Sequence, residues 1–452
     1  AAETAVSSDS ADRPAIVLVT FGTLRARDAG FLGGSPTPTL DQLATGAAWA
    51  GPAISGSSSP LVSLGILATG APPARNGLLS HDFGRLHAEP SPLATALSAL
   101  GYRTIACSPI LSLRHRWGLF VGFDAAVDCP RAIPMCDSAE LAEAADDLAL
   151  RLAAEERAGE PTFFWIHLPG LSFPLLSETA QPRGETAEAN IEAERPITAL
   201  DLYPAVAPET PVPPDLRRQI ERRVPPAMAR VDAHLGRLLH TLGLLPADTP
   251  SRRPAVLAVT ATQGLDTGEE EIALYGESLG RSTLEVPLIV RLPSTAARLT
   301  PRGPVGTVRL WSTLFEAAGG RPALARAPSL WQPAPQPVLS SLYLLDGVNR
   351  FSWIDAPSAS DEASAGGDSD WRQLLWTARF APADGEYVDA LRVRAGERDV
   401  RLSRTVRRIF DERRRAFVKA PLLTGGGQVT LELRTWPAAG RARGDVAPLD
   451  AP

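Results

Sequence analysis

The chain has 452 residues, with 45 lysines and arginines against 51 aspartates and glutamates, so its formal net charge is −6. Hydrophobic residues make up 44% and charged residues 21%, a composition that excludes a disordered or collagen-like chain and allows a large buried core. The acidic balance gives no general attraction to nucleic acid, and no apolar run reaches the roughly 18–20 residues that cross a bilayer.

Short apolar runs alternate along the chain with segments of helical periodicity. Because apolar and polar residues do not alternate within the runs, each run predicts a strand buried on both faces, as in a parallel sheet. The predicted strands are 15–20, 102–107, 162–167, 255–260 and 286–292, and the predicted helices are 93–100, 138–156 and 227–242. This order predicts an α/β sandwich with a mostly parallel central sheet.

The pattern divides the chain into two predicted domains. We expect an α/β domain over residues 14–330, preceded by a disordered leader, residues 1–13. Within the remainder, 331–452, the segments 371–380 and 428–434 alternate in the manner of half-exposed strands. This part predicts a small C-terminal α+β domain that ends in a disordered tail.

Three segments depart from the regular pattern. Residues 177–226 are rich in proline and acids without periodicity and predict a surface insertion, and 356–370 are of low complexity and predict a flexible loop. Residues 392–419 are rich in arginine, with apolar residues at helical spacing, and predict a basic helix. We expect a partner protein or an envelope complex at 177–226 or 392–419. No nucleic acid is expected, because no aromatic residues interleave with the arginines.

The cysteines and the first residue bear on the location of the protein. Cys129 and Cys136 are close enough in sequence to form a disulfide, whereas Cys107 lies in an apolar run and predicts a buried thiol. Position 1 is alanine, which predicts a processed chain. We therefore expect an exported protein, periplasmic or extracellular, either free or associated with the membrane.

Several motifs follow one another in an order that indicates a known family. Residues 22–27 read Gly-Thr-Leu-Arg-Ala-Arg, 37–44 read Thr-Pro-Thr-Leu-Asp-Gln-Leu-Ala, 67–73 read Leu-Ala-Thr-Gly-Ala-Pro-Pro, and 122–124 read Gly-Phe-Asp. These motifs resemble the sulfatase family of the alkaline phosphatase superfamily. The resemblance implies the α/β fold of that family and, in its active members, hydrolysis of sulfate or phosphate esters.

The resemblance also assigns the family's metal ligands to positions of this chain. A sulfatase holds a divalent cation, usually calcium, between two pairs of carboxylate or amide ligands, which a hard cation needs. Those positions fall on Gly22 and Thr23 and on Thr262 and Gln263. None of the four is acidic, so we expect the family calcium site to be lost and no cofactor to be bound.

The family's nucleophile is equally changed. Counting back without a gap from the Thr69-Gly70 pair places Pro60 at the nucleophile, where no side chain can attack. A shift of two residues places Ser58 there, within Ser-Ser-Pro, but the arginine that follows in the family is missing.

The family's substrate-binding loop after its histidine-bearing strand differs as well. His167 is retained, but Gly170, Leu171 and Ser172 replace the family's aspartate, proline and histidine. Because the strand around it is apolar, we expect His167 to be a core histidine with a hydrogen-bond partner.

Together these substitutions predict a vestigial pocket. Its candidate residues are Gly22, Thr23, Ser58, Pro60, Ser63, His167, Gly170, Ser172, Thr262 and Gln263. We expect a catalytically inactive sulfatase-like protein, a pseudoenzyme that serves as a structural or interaction subunit in the cell envelope.

Two alternatives remain open. The first is an ester hydrolase with a relocated site, which uses Ser58 or Ser63 with His81, Asp82 or His167. The second is a non-catalytic binder of sulfated or phosphorylated glycans, in which Arg25 and Arg75 face the anion.

Overall fold

The computed structural model describes residues 4–5, 13–79, 85–108, 117–128, 160–168, 170–171, 211–245, 254–269, 276, 278–293, 299, 303–323, 326–332, 338–343, 348–355, 371–380, 391–395, 398–399 and 427–436. Within this part of the chain, no helix has the length and apolar character to cross a membrane.

The strands are β1 (Thr4–Ala5), β2 (Ala15–Thr23), β3 (Trp49–Ile54), β4 (Arg103–Ser108), β5 (Ala125–Asp128), β6 (Thr162–Leu168), β7 (Ala255–Gln263), β8 (Glu285–Arg291), β9 (Gly320–Arg321), β10 (Val338–Tyr343), β11 (Val348–Asp355), β12 (Trp371–Phe380), β13 (Leu391–Ala395), β14 (Arg398–Asp399) and β15 (Gly427–Trp436). The helices are α1 (Pro38–Ala44), α2 (Pro60–Thr69), α3 (Pro73–Asn76), α4 (Leu93–Ala99), α5 (Pro214–Thr241), α6 (Arg281–Leu284) and α7 (Leu310–Ala317), with 3₁₀ turns at Ala26–Asp28, Gly30–Leu32 and Thr307–Arg309.

The core of the molecule is a seven-stranded sheet with the order β3-β8-β7-β2-β6-β4-β5. Strands β7, β2, β6, β4 and β5 are parallel, whereas β8 runs antiparallel to β7 and β3 antiparallel to β8. The predicted α/β fold with a mostly parallel sheet is confirmed. The run at 286–292 forms β8, and it differs from the parallel expectation only in its direction.

Burial on both faces explains the apolar runs. In β2, the side chains of Ile16, Val17, Leu18 and Val19 are all buried, although successive side chains point to opposite faces of the sheet. Helix α2 packs against β7, and α7 packs against α2 and α4. The sheet is therefore the middle layer of a sandwich.

Helix α5 begins earlier than the sequence predicted. The predicted helix began at 227 because Pro225 and Pro226 lack amide protons and clash with the preceding turn. In the structure both prolines lie inside α5, and the burial of Val224 and Met228 against the core holds the helix on either side of them. Residues 214–226 thus belong to a helix and not to the predicted insertion.

Helix α5 also fixes the start of α1. The Asp232 carboxylate accepts hydrogen bonds from the backbone amides of Thr39 and Leu40, each at 2.9 Å. These amides belong to the first turn of α1, where the helix itself offers no carbonyl oxygen to accept their hydrogen bonds. Helix α1 is part of the connection between β2 and β3, so this contact anchors that connection.

A second sheet follows, with the order β10-β11-β12-β15-β13-β14. Adjacent strands in this sheet are antiparallel, except that β13 and β15 are parallel to each other. Strand β10 contacts the connection between β3 and α2. The Ser340 hydroxyl donates a hydrogen bond to the Ser55 carbonyl oxygen at 2.6 Å, and the Ser341 amide donates one to the Gly56 carbonyl oxygen at 2.9 Å. This contact supports the segment that connects β3 to α2.

The predicted basic helix at 392–419 is wrong at its start. Residues 391–395 and 398–399 are strands, and 400–419 lie outside the described residues. Leu391, Val393 and Ala395 alternate with arginines, so the period of two, together with pairing to β15, decided the local structure. The helical spacing that we used lies farther along the chain.

Other predictions are tested only in part. Residues 4–5 of the predicted leader pair with β9, so at least this part of the leader is a strand. The Cys129–Cys136 disulfide, helix 138–156, most of the insertion and loop 356–370 lie outside the described residues. They stay predictions, as do the domain division and the export of the protein.

We predict that Gly170→Ala is strongly destabilising. A Cβ atom at Gly170 would lie 1.9 Å from the Thr23 carbonyl oxygen, so the backbone must move. Such overpacking costs typically about 1–3 kcal/mol, which urea denaturation of the variant measures.

Gly22→Ala is the matched control. Its Cβ would meet only the Leu168 carbonyl oxygen at 3.8 Å and the Gly170 amide at 3.9 Å. We expect its free energy of unfolding to stay within about 1 kcal/mol of the natural chain. Equal losses in the two variants would contradict the close packing at Gly170.

Candidate active site

Four of the predicted pocket residues meet where β2 and β7 end. The two strands pair in register, so that Thr23 is opposite Gln263. The Gln263 side-chain amide bridges the hydroxyls of Thr23, at 3.0 Å, and Thr262, and the Thr262 hydroxyl donates to the Gly22 carbonyl oxygen. Sequence reasoning therefore named residues that the fold does bring together.

This group of residues does not fit a divalent cation. Calcium takes six to eight oxygen ligands, among them carboxylates, whereas the side chains here are neutral and already hydrogen-bonded to one another. Across the described ranges, no cluster of three histidine, cysteine, aspartate or glutamate residues has the geometry of a metal site.

Two acids near this edge, Asp28 and Glu269, are paired with arginine, whereas the buried Asp266 accepts hydrogen bonds from the backbone amides of Gly268 and Glu269. Arg25, which is 3% exposed, donates to both oxygens of the Asp28 carboxylate and, at 3.2 Å, to Glu269. It also contacts the Leu265 carbonyl oxygen at 3.5 Å. Arg27 forms a second ion pair with Glu269. These ion pairs tie the segment after β2 to the segment after β7.

The expectation that Arg25 faces a bound anion is wrong. Its guanidinium is buried and held by two carboxylates, because the fold places Glu269 beside the turn that follows β2. Arg75 lies on the exposed surface of the short helix α3. Glu269 was missed by sequence reasoning, since it follows β7 without a recognisable motif.

A cluster of serine hydroxyls occupies the connection from β3 into α2. The Ser55 hydroxyl donates to the Thr262 carbonyl oxygen at 2.5 Å and lies 3.1 Å from the Ser63 hydroxyl. Ser63 in turn donates to the Ser57 carbonyl oxygen at 2.7 Å. The cluster thus holds the turn before α2 against the end of β7. Ser55 was missed, and the serine-rich run was the only signal for it.

Ser58 differs from the other hydroxyls of this cluster. Its side chain is fully buried, and its Oγ atom has no hydrogen-bond partner. A buried hydroxyl without a partner is unfavourable, by about 1–3 kcal/mol, unless a ligand or a reaction uses it. Ser58 lies two residues before Pro60, the first residue of α2, with the N-cap Ser59 between them.

The start of α2 bears on the two alignments of the nucleophile. Pro60 is the first residue of α2, where its missing amide proton and fixed φ are tolerated. In the alignment shifted by two residues, Pro60 corresponds to the proline of the family motif and Ser58 to the nucleophile. Both alignments stay predictions.

His167 lies inside the sheet. It is 4% exposed, and its Nδ1 atom is 2.9 Å from the Thr20 hydroxyl, which also accepts a hydrogen bond from the Trp165 indole at 3.0 Å. Burial lowers the pKa of His167 to about 4, and a hydrogen bond with the Thr20 backbone opposes this change only in part. The imidazole is therefore neutral at pH 7 and engaged with its neighbour on β2.

Of the remaining candidate residues, the structure describes only Gly170. Gly170 lies against the backbone of Thr23, to which the Leu171 amide donates a hydrogen bond, so the loop after β6 closes over the end of β2. Ser172, His81 and Asp82 lie outside the described residues.

Comparison with known proteins gives the family. The family model described as Sulfatase matches residues 14–320, about two thirds of the chain, and this chain belongs to the sulfatase family. No curated protein matches it.

Solved structures with similar folds are hydrolases. A putative sulfatase from Bacteroides thetaiotaomicron VPI-5482 has a TM-score of 0.60 and 16% identity, covering 80% of this chain and 83% of its own. A 2-O GAG sulfatase has a TM-score of 0.57 and 15% identity, with coverages of 80% and 83%. A phosphonate monoester hydrolase of Agrobacterium radiobacter has a TM-score of 0.55 and 16% identity, with coverages of 81% and 87%. At these identities the similarity establishes the fold.

The prediction that this chain is not an enzyme is contradicted by its membership of a hydrolase family with enzymes among its structural neighbours. That prediction treated every departure from the family motifs as a loss. Departures from the family motifs do not by themselves establish that catalysis is lost.

We predict that acid destabilises the protein through His167. Its pKa is about 4 in the folded chain and about 6.5 unfolded, so the unfolded state binds protons more readily. Stability is therefore lost as the pH falls from about 6.5 towards 4, by up to about 3 kcal/mol from this residue. Urea denaturation at several pH values measures the slope.

His167→Gln is expected to lower stability at pH 7 but to flatten its dependence between pH 6.5 and 4. The exposed His240 provides the control, and His240→Gln is expected to keep the slope of the natural chain. An unchanged slope in His167→Gln would contradict the assignment.

Proposed function

We propose that this chain is a hydrolase of sulfuric or phosphoric esters in which the Ser58 hydroxyl is the nucleophile. The observation that carries the proposal is the buried, unpartnered Oγ atom of Ser58 at the start of α2. Family membership supplies the reaction class, and the position two residues before Pro60 agrees with the family's nucleophile motif.

The N-terminus of α2 supports this role electrostatically. Pro60 has no amide proton, and the amides of Leu61 and Val62 belong to the first helical turn, where no intrahelical acceptor exists for them. Together with the helix dipole, such amides stabilise negative charge. They would stabilise the charge that develops on the sulfuryl or phosphoryl oxygens during attack.

The reaction balances in two steps. In the first, Ser58 Oγ bonds to the sulfur or phosphorus atom, and the alcohol leaves with the proton that Ser58 gives up. In the second, water breaks the bond between Oγ and that atom, so that sulfate or phosphate is released and a proton returns to Ser58. The described residues hold the nucleophile and stabilise charge. His167 is given no role in the transfer, because it lies buried in the sheet against Thr20 and burial lowers its pKa to about 4.

The surrounding serines position the nucleophile. Ser55 and Ser63 hold the turn against β7, and Ser340 of the second sheet donates to the Ser55 carbonyl oxygen. Three separate elements therefore fix the backbone on either side of Ser58. A rigid turn reduces the entropic cost of holding the nucleophile in a reactive geometry.

We predict that the purified protein hydrolyses nitrophenyl sulfate, nitrophenyl phosphate or nitrophenyl phenylphosphonate, and that Ser58→Ala reduces the rate about 10³-fold or more. Release of nitrophenol measures turnover. Circular dichroism should show the same fold in the variant, since the removed hydroxyl has no partner.

Ser63→Ala is the discriminating control. The Ser63 hydroxyl holds the turn and does not itself attack, so we expect Ser63→Ala to lose about 1 kcal/mol in stability and to reduce the rate about tenfold, far less than Ser58→Ala. The proposal fails if none of the three esters is hydrolysed, or if Ser63→Ala and not Ser58→Ala abolishes turnover.

A further inference from the structure

We propose that the hydrogen-bonded side chains of Thr23, Thr262 and Gln263 replace the divalent cation as the connection between β2 and β7. The protein then folds and holds this edge without calcium. This inference does not depend on Ser58 being a nucleophile.

The first support is the hydrogen bonding among these side chains. The Gln263 amide nitrogen donates to the Thr23 hydroxyl, and the single proton of the Thr262 hydroxyl faces the Gly22 carbonyl oxygen and the Gln263 side-chain oxygen. Thr262 and Gln263 are fully buried, so water does not compete for these bonds. The side chains that would have to face a cation are thus engaged with one another.

The second support is charge. A cation would need carboxylates to balance it. The nearby Asp28 and Glu269 carboxylates are paired with Arg25, and the Asp266 carboxylate accepts hydrogen bonds from the amides of Gly268 and Glu269. The four positions at the strand ends carry no charge at all. Placing a divalent ion among them would cost desolvation without an ionic partner.

The third support is the space at Gly22. A Cβ atom there would have ordinary contacts, at 3.8 Å and 3.9 Å, and the backbone is that of a strand. The backbone at Gly22 therefore admits a Cβ atom, the first atom of the side chain that a ligand at this position requires.

The test places carboxylates at positions 22 and 262, where the family has its metal ligands. We expect the natural chain to contain no stoichiometric calcium and to keep its Tm when EDTA or calcium is added. The variant Gly22→Asp/Thr262→Asp should gain calcium binding, with a Kd below about 1 mM by titration calorimetry and a Tm that rises with calcium by a few degrees. The uncharged variant Gly22→Asn/Thr262→Asn has nearly the same shape and should show neither effect.

Two outcomes overturn the proposal. One is stoichiometric calcium in the natural chain, or a fall in its Tm with EDTA. The other is a folded Asp/Asp variant that binds calcium no better than the Asn/Asn variant.

A separate variant tests the network where the double variants do not fold. Thr262→Val keeps the shape but removes the hydroxyl, so its Tm should fall below that of the natural chain, and calcium should not restore it. An unchanged Tm, or recovery with calcium, would contradict the proposed connection.

Discussion

The in-register pairing of β2 with β7 is the constraint on which the site depends. Two buried parallel strands that end together bring their last residues within hydrogen-bonding distance, whatever those residues are. The same pairing places Arg25, just beyond β2, beside Glu269, just beyond β7. Backbone hydrogen bonds thus create the site, and side chains determine what it can hold.

Neutrality is the property that separates this edge from a metal site. Buried acids need a positive charge or hydrogen-bond donors, and here Asp28 and Glu269 have arginine while Asp266 has backbone amides. The serine cluster follows the same rule, since its hydroxyls bond to carbonyl oxygens of the turn and of β7. The Ser58 hydroxyl is the exception in this cluster, and the proposed nucleophile rests on it.

Sequence reasoning succeeded where the pattern is local and the burial two-sided. The apolar runs of β2, β6 and β7 were found because a strand buried on both faces has no polar positions. It failed at 214–226, where tertiary packing retains a helix across two prolines, and at 391–395, where pairing with β15 decides the structure.

The sequence by itself determined the sulfatase-family fold and the identity of the residues at the strand ends, because both depend on local patterns and ordered motifs. Only the tertiary structure decided what those residues do. It committed Arg25 to Asp28 and Glu269, joined Thr23 to Gln263, and left the Ser58 hydroxyl without a partner. Partners of this kind come from elements far apart in the chain, so no local pattern of residues encodes them.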